Sequence, residues 1–285
     1  MSEQKLQQAY AHCQQMAARH YENFPVASIL LPKALRKPVT VIYAFARSAD
    51  DFADEGERSV AQRLALLAHY DASLQQIARA ETADDPVFIA LADVIARHAL
   101  PLELFSDLLC AFRQDVTTRA YADFEAVLDY CRRSANPVGR LLLHLYRQAT
   151  AEKLALSDHV CSALQLINFL QDIQQDYREH RRIYLPQDEM HRHGVSEQDI
   201  SQAHSGRAMQ QLIAAQIRRA REMMLAGAPL GRALPGRAGL ELRLIIQGGL
   251  HILAQLEQHR GNVFRRPRLT RGDKLILLWR ALRQR

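Results

Sequence analysis

Four acidic side chains fall within six positions, Asp50, Asp51, Asp54 and Glu55, at the end of the stretch VIYAFARSADDFADEGE. The apolar periodicity ahead of them reads as a helix, and Gly56 suits the left-handed position that ends one. The acids therefore occupy its last turn and a half. Negative charge there opposes the helix dipole, and the pairs Asp50/Asp54 and Asp51/Glu55 repel at i,i+4, each at a cost of roughly 0.2 to 0.5 kcal/mol. A second stretch, NFLQDIQQDYREHRR, sets Asn168, Asp172 and Asp176 four residues apart with Gln165 and Gln171 alongside. At 3.6 residues per turn these form one polar stripe on a helix whose other positions are apolar.

Two helices that each accept such a penalty are best explained by a cation bridging their faces. Mg²⁺ suits this role, because it takes oxygen ligands and prefers one or two carboxylates plus substrate phosphates to a complete protein cage. The implied ligand is a diphosphate. Two solvated acidic faces are the competing explanation, plausible for either cluster alone and weaker for both. Tyr43, Arg47, Asp50, Asp51 and Asp54 share a face, so Arg47 can hold the carboxylates ionised or contact a diphosphate. From spacing alone, an ordinary salt bridge is the commoner role. Arg178, Arg181 and Arg182 follow the second cluster and could grip phosphate oxygens, although solvation accounts for most arginines in such a run.

The elements that must position these residues are helices. Composition favours helix formers, with 12 glycines, 10 prolines and 7% aromatics in 285 residues. No alternating pattern suggests a strand. The periodicity predicts helices over 3–20, 38–55, 58–81, 86–98, 101–119, 123–133, 137–148, 155–180, 196–227, 236–258 and 270–283, with no proline interrupting one. Short connections imply antiparallel packing in an all-α bundle, taken as a single domain over 1–285 with an interior able to hold a ligand. The loop 185–194 and the stretch 227–239 are the candidate mobile segments.

Other classes fit less well. The formal charge of +6 admits an anionic partner, but no nucleic-acid-binding motif accompanies it. Cys13, Cys110, Cys131 and Cys161 form no CxxC pair, which argues against zinc and disulfides and for a reducing cytoplasm. His191 and His193, spaced i,i+2 with no acid beside them, read as a surface pair. The N-terminal residues lack a signal-peptide core. The segment DKLILLWRALRQR is a basic amphipathic helix; packing on the bundle is its commoner fate, and peripheral contact with the inner membrane surface is the alternative.

Four segments carry a resemblance: YAFARSADDFADE at 43–55, YCRRSANPVGR at 130–140, QLINFLQDIQQD at 165–176 and RRIYLP at 181–186. Together they resemble the squalene and phytoene synthases, a family of trans-isoprenyl-diphosphate synthases. The resemblance implies an isoprenoid-synthase helical bundle around a central cavity, with Mg²⁺ on Asp50, Asp54, Asp172 and Asp176 and a prenyl diphosphate lipid ionised there. It implies Asn168 and Gln171 as polar companions, Arg47, Tyr43 and Arg182 as substrate contacts, and Tyr130 as a cavity tyrosine. The opening HYENFPVASILLP at 20–32 and the departures at Ser134, Asn136 and Pro137 resemble the bacterial hopanoid branch that turns presqualene diphosphate into hydroxysqualene.

Tyr130 or Asn136 would orient the captured water. Where many relatives carry a tyrosine before an Ile-Leu pair, this chain has Gly249, whose missing side chain would leave room for water. The chain has no G-x-G-x-x-G after a strand, which fits water capture without a hydride donor. A condensing enzyme that joins two prenyl diphosphates is the alternative, and a helical binder without chemistry is the weakest reading.

Overall fold

The computed structural model describes residues 3–19, 31–259 and 263–265. Among the described residues thirteen helices follow one another. The first seven are α1 (Glu3–Arg19), α2 (Lys33–Asp54), α3 (Val60–Ala78), α4 (Pro86–His98), α5 (Leu102–Thr117), α6 (Phe124–Ser134) and α7 (Asn136–Leu145). Then come α8 (Ala151–His180), α9 (Gln187–His193), α10 (Glu197–Ser201), α11 (Arg207–Gly227), α12 (Leu230–Ala233) and α13 (Gly236–Gln258), before a 3-10 turn at Val263–Arg265. Among the described residues there is no strand, only a lone parallel bridge between Ala120 and Ile183. The expected all-α class is what the chain adopts. The helix expected at 270–283 and most of the 20–32 segment lie outside the described residues.

Side chains start the helices where the sequence supplies caps. Ser59 and Gln62 form a reciprocal capping box at α3, Asp85 accepts from the Val87 and Phe88 amides with Pro86 in the first turn of α4, and Thr150 caps α8. Four stretches differ from expectation. Pro38 lies inside α2, which starts at Lys33; the proline is only six residues in, so it forfeits a single early backbone bond. The segment 196–227 is two helices, because Ser196 and Asp199 box the short α10 and Gly206 caps α11. The expected loop 185–194 contains α9, closed by Gly194 at φ +68°, and α12 stands within 227–239.

The described residues form two compact units. One comprises those up to Thr117 with Pro137–Ala149, the other those of Thr118–Asn136 and from Thr150 onward. In the first, Phe45 of α2 is fully buried. Its ring meets Phe88 and Phe105 edge-on, at 5.8 and 5.4 Å, and stacks on Tyr70 at 5.8 Å. Burial of one such ring stabilises by about 1.5 to 3 kcal/mol, with each aromatic pair adding to it. This core fixes the roll of α2, and hence the direction in which its acids face.

In the second unit, α8 packs along α11. Val160, Ala163, Ile167 and Leu170 of α8, and Leu212, Ile213, Ile217 and Met224 of α11, are buried. All four cysteines are free. The thiols of Cys13 and Cys131 are pushed up to about 12, chiefly by burial, which keeps them protonated and inert. Among the described residues no helix is long and apolar enough to cross a membrane.

α11 approaches α8 closely at Gly227, where an added Cβ would lie 2.7 Å from the Leu156 carbonyl oxygen and 2.9 Å from the Val160 nitrogen. Gly227→Ala is expected to destabilise by about 1 to 3 kcal/mol through overpacking, read as a lowered denaturation midpoint.

Candidate active site

In the first unit the end of α2 carries the acids as the spacing implies. Arg47 clasps them: its guanidinium lies 3.3 Å from Asp50, 2.6 Å from Asp51 and 3.3 Å from Glu55. The salt-bridge role is therefore realised. Two further arginines neutralise the helix end in a way that spacing did not reveal. Arg58 donates to the carbonyls of Asp51 and Glu55, and Arg63 to those of Phe52, Glu55 and Gly56. Guanidinium groups on the last carbonyls offset the unfavourable end of the dipole. The acids are thus less exposed to electrostatic penalty than the sequence suggested.

Tyr43, two turns earlier, has its hydroxyl pKa raised, first by burial and then by Asp51 and Asp50, with Arg47 opposing. It stays a neutral donor. A cavity of about 600 Å³ opens beside the cluster, walled by Arg47, Asp51, Glu55, Arg58 and the ring of Tyr70.

In the second unit α8 presents Asn168 exposed and Asp172 and Asp176 half-buried, while Phe169 and Ile173 turn inward. One helical turn from Asp172, Phe169 joins an aromatic cluster. It stacks on Tyr184 with ring centres 3.8 Å apart and planes 5° from parallel, and Tyr130 lies 6.1 Å from Phe169, 5.6 Å from Tyr184 and 5.5 Å from Tyr121. Backbone pairing assembles the cluster: the Ile183 amide donates to the Arg119 carbonyl, and the Gln187 and Asp188 amides donate to those of Tyr121 and Ala122.

The three arginines after Asp176 separate sharply. Arg178 and Arg181 are exposed, and Arg181 covers the ring of Tyr177. Arg182, which the family resemblance implies as a substrate contact, is only 7% exposed and lines a small cavity with Asp176.

Asn136 takes a different place. Its Oδ1 accepts a hydrogen bond from the buried Ser162 hydroxyl at 2.9 Å. Ser162 is ten residues before Asp172 on α8, about 15 Å along the axis. Asn136 therefore sits well away from Asp172 and Asp176 of α8, whereas Tyr130 is level with Phe169. The room expected at Gly249 is filled, since an added Cβ there would come within 2.8 Å of Met224 and 3.1 Å of Ile167. His191 and His193 end α9 rather than lying on a loop.

Every candidate donor to a metal here is oxygen. Among the described residues no three His, Cys, Asp or Glu side chains gather into a metal cage. Two carboxylates at i,i+4 on a half-exposed face suit Mg²⁺, which completes its shell with water and phosphate, and do not suit a structural zinc.

A model of the squalene/phytoene synthase family matches residues 17–273. The chain belongs to that family. It is 35% identical over 227 residues to the hydroxysqualene synthase of Zymomonas mobilis, covering 79% of this chain and 75% of that one. It is 32% identical to the 15-cis-phytoene synthase of Synechococcus elongatus, over 68% of this chain and 66% of the relative. The crystal structure of squalene synthase HpnC from Alicyclobacillus acidocaldarius superposes with a TM-score of 0.84 at 35% identity, covering 91% of this chain and 97% of that one. The fold is accordingly the isoprenoid-synthase bundle of this family.

The segment carrying Arg182 and Tyr184 runs into α9, which an ion pair anchors. Arg219 of α11 meets Glu189 at 2.7 Å while stacking over Phe124 at 3.8 Å, and Gln216 donates to the same carboxylate. Burial alone would raise the Glu189 pKa, but the bonds from Arg219 and Gln216 and the Arg219 charge outweigh it and leave the pKa lowered. A carboxylate whose pKa falls on folding stabilises above its unfolded value, and that stability is lost as pH falls through the folded one. Glu189→Gln should cost about 1 to 3 kcal/mol at neutral pH. It should also flatten the fall in stability below the ordinary glutamate range, as read by denaturant titration across pH.

Proposed function

We propose that this member of the family converts presqualene diphosphate and water to hydroxysqualene and diphosphate, in the isoprenoid route to hopanoids. Similarity to a hydroxysqualene synthase across 79% of the chain, with both acidic faces intact, carries this reading. Asp50 and Asp54 on α2, and Asp172 and Asp176 on α8, are the residues we assign to Mg²⁺. When bound, the metal supplies positive charge against the charge that grows on the departing diphosphate.

The chain's own groups do the rest. Arg47, already held among carboxylates, is placed to exchange part of that partnership for phosphate oxygens. Tyr43 stays protonated and donates. Asn168 and Gln171 extend the polar stripe beside Asp172. The aromatic cluster around Tyr130 offers ring faces to an allylic or cyclopropylcarbinyl cation and excludes bulk water from it. Loss of diphosphate followed by water capture is lyase-type chemistry.

The likeness to a phytoene synthase supports a second reading, a transferase that condenses two prenyl diphosphates. Purified protein given Mg²⁺ and either presqualene diphosphate or farnesyl diphosphate, without a nicotinamide donor, separates the two by mass spectrometry. Hydroxysqualene from the first substrate alone is the expected result, and conversion of farnesyl diphosphate to a longer diphosphate or hydrocarbon would transfer the protein to the condensing class. Asp50→Asn and Asp172→Asn are each expected to lower diphosphate release by at least about 100-fold, a loss of roughly 2.7 kcal/mol of transition-state stabilisation. Release at the wild-type rate in both variants would refute the metal assignment.

A further inference from the structure

A small cavity in the second unit borders both the aromatic cluster and the acid stripe. Its walls include Phe169 and Asp176 of α8, Arg182, Tyr184 and Leu185 of the segment that follows, and Ile200 of α10. The space open to the centre of a water-sized sphere is about 10 Å³, close to the minimum that one water requires. Phe169 and Asp176 are seven residues apart, so the cavity lies alongside the turn that bears Asp172.

Its chemistry is unusual for so enclosed a place. Leu185 and Ile200 are buried and offer a water nothing. Asp176 supplies an acceptor, and Arg182, itself 93% buried, supplies donors. A buried water is stable where two to four polar groups meet it, and a fully apolar cavity of this size stays dry. We infer that this cavity holds the single water molecule that captures the carbocation. The inference rests on the function proposed above and deepens it by locating the nucleophile.

The balance of the step is simple. The C–O bond to diphosphate breaks with its electron pair leaving on the diphosphate. A lone pair of the stored water then forms the new C–O bond, and the proton that the water sheds passes to the departed diphosphate. Nothing is oxidised or reduced. Tyr184 and Phe169, stacked on each other, line this cavity and also belong to the ring cluster around Tyr130, so the stored oxygen stands beside the rings that face the cation.

Filling the cavity from its apolar side tests the assignment. Leu185→Phe, and Ile200→Phe from a different element, should leave diphosphate release from presqualene diphosphate within about two-fold of wild type. Each should lower the alcohol share of the products at least about five-fold in favour of water-free hydrocarbons. A crystal structure of the substrate-free protein fine enough to show ordered solvent should place a water within hydrogen-bonding distance of Asp176 and Arg182, and none in the filled variants. Either variant suffices if the other does not fold. A dry wild-type cavity, or an unchanged alcohol share in a filled variant that still releases diphosphate, would overturn the inference. Failure of the wild type to ionise presqualene diphosphate would instead strike the proposed function, and the crystallographic water would still be read independently.

Discussion

Carboxylates crowded at the C-terminal end of a helix repel one another and oppose its dipole, and positive charge beside them offsets both. At the end of α2 the charge comes from three arginines, one clasping the acids from within the helix and two capping its terminal carbonyls. These contacts are partly exposed, so each contributes modestly to stability. Their greater effect is to hold an acid-rich terminus in a fixed geometry.

On α8 packing orients the acids. They follow two turns of deeply apolar surface packed on α11, so the core sets the direction in which they face. The buried Arg182 follows the helix end at once, where Arg181 turns the chain through a left-handed conformation at φ +56°. That turn brings back the segment whose tyrosine stacks on Phe169. A charged face, an aromatic wall and a buried guanidinium are thus placed by one long helix and the chain that reverses from it.

Much of this was legible in the sequence, because helix periodicity converts spacing into a shared face. The acids and Arg47 could be read that way, whereas Tyr130 came only from the family resemblance. Arg58 and Arg63 could not, since capping a carbonyl depends on how the chain turns after Gly56. Nor could the meeting of Tyr121 with Tyr184, which are 63 positions apart and joined by backbone pairing that leaves no periodic signal. The family resemblance singled out Arg182, but its burial was not legible within a run of arginines, a pattern that usually means solvation. The break between α10 and α11 was legible in principle: Ser196 with Asp199 and the Ser205-Gly206 pair are ordinary capping chemistry. At Gly249 the missing side chain suggested space, but neighbouring helices close on small residues, and Met224 and Ile167 had filled it.

The central claim is that these acids are kept crowded for the sake of a metal and a diphosphate. Thermal unfolding of wild type and Asp54→Asn, with and without Mg²⁺ plus inorganic diphosphate, tests it most directly. Asp54 ends α2, where its charge opposes the dipole, so Asp54→Asn should be equal to or a few tenths of a kcal/mol more stable than wild type without ligands. It should lose most of the stabilisation that magnesium and diphosphate together give the wild type. Equal ligand-dependent stabilisation in the two proteins would contradict the account.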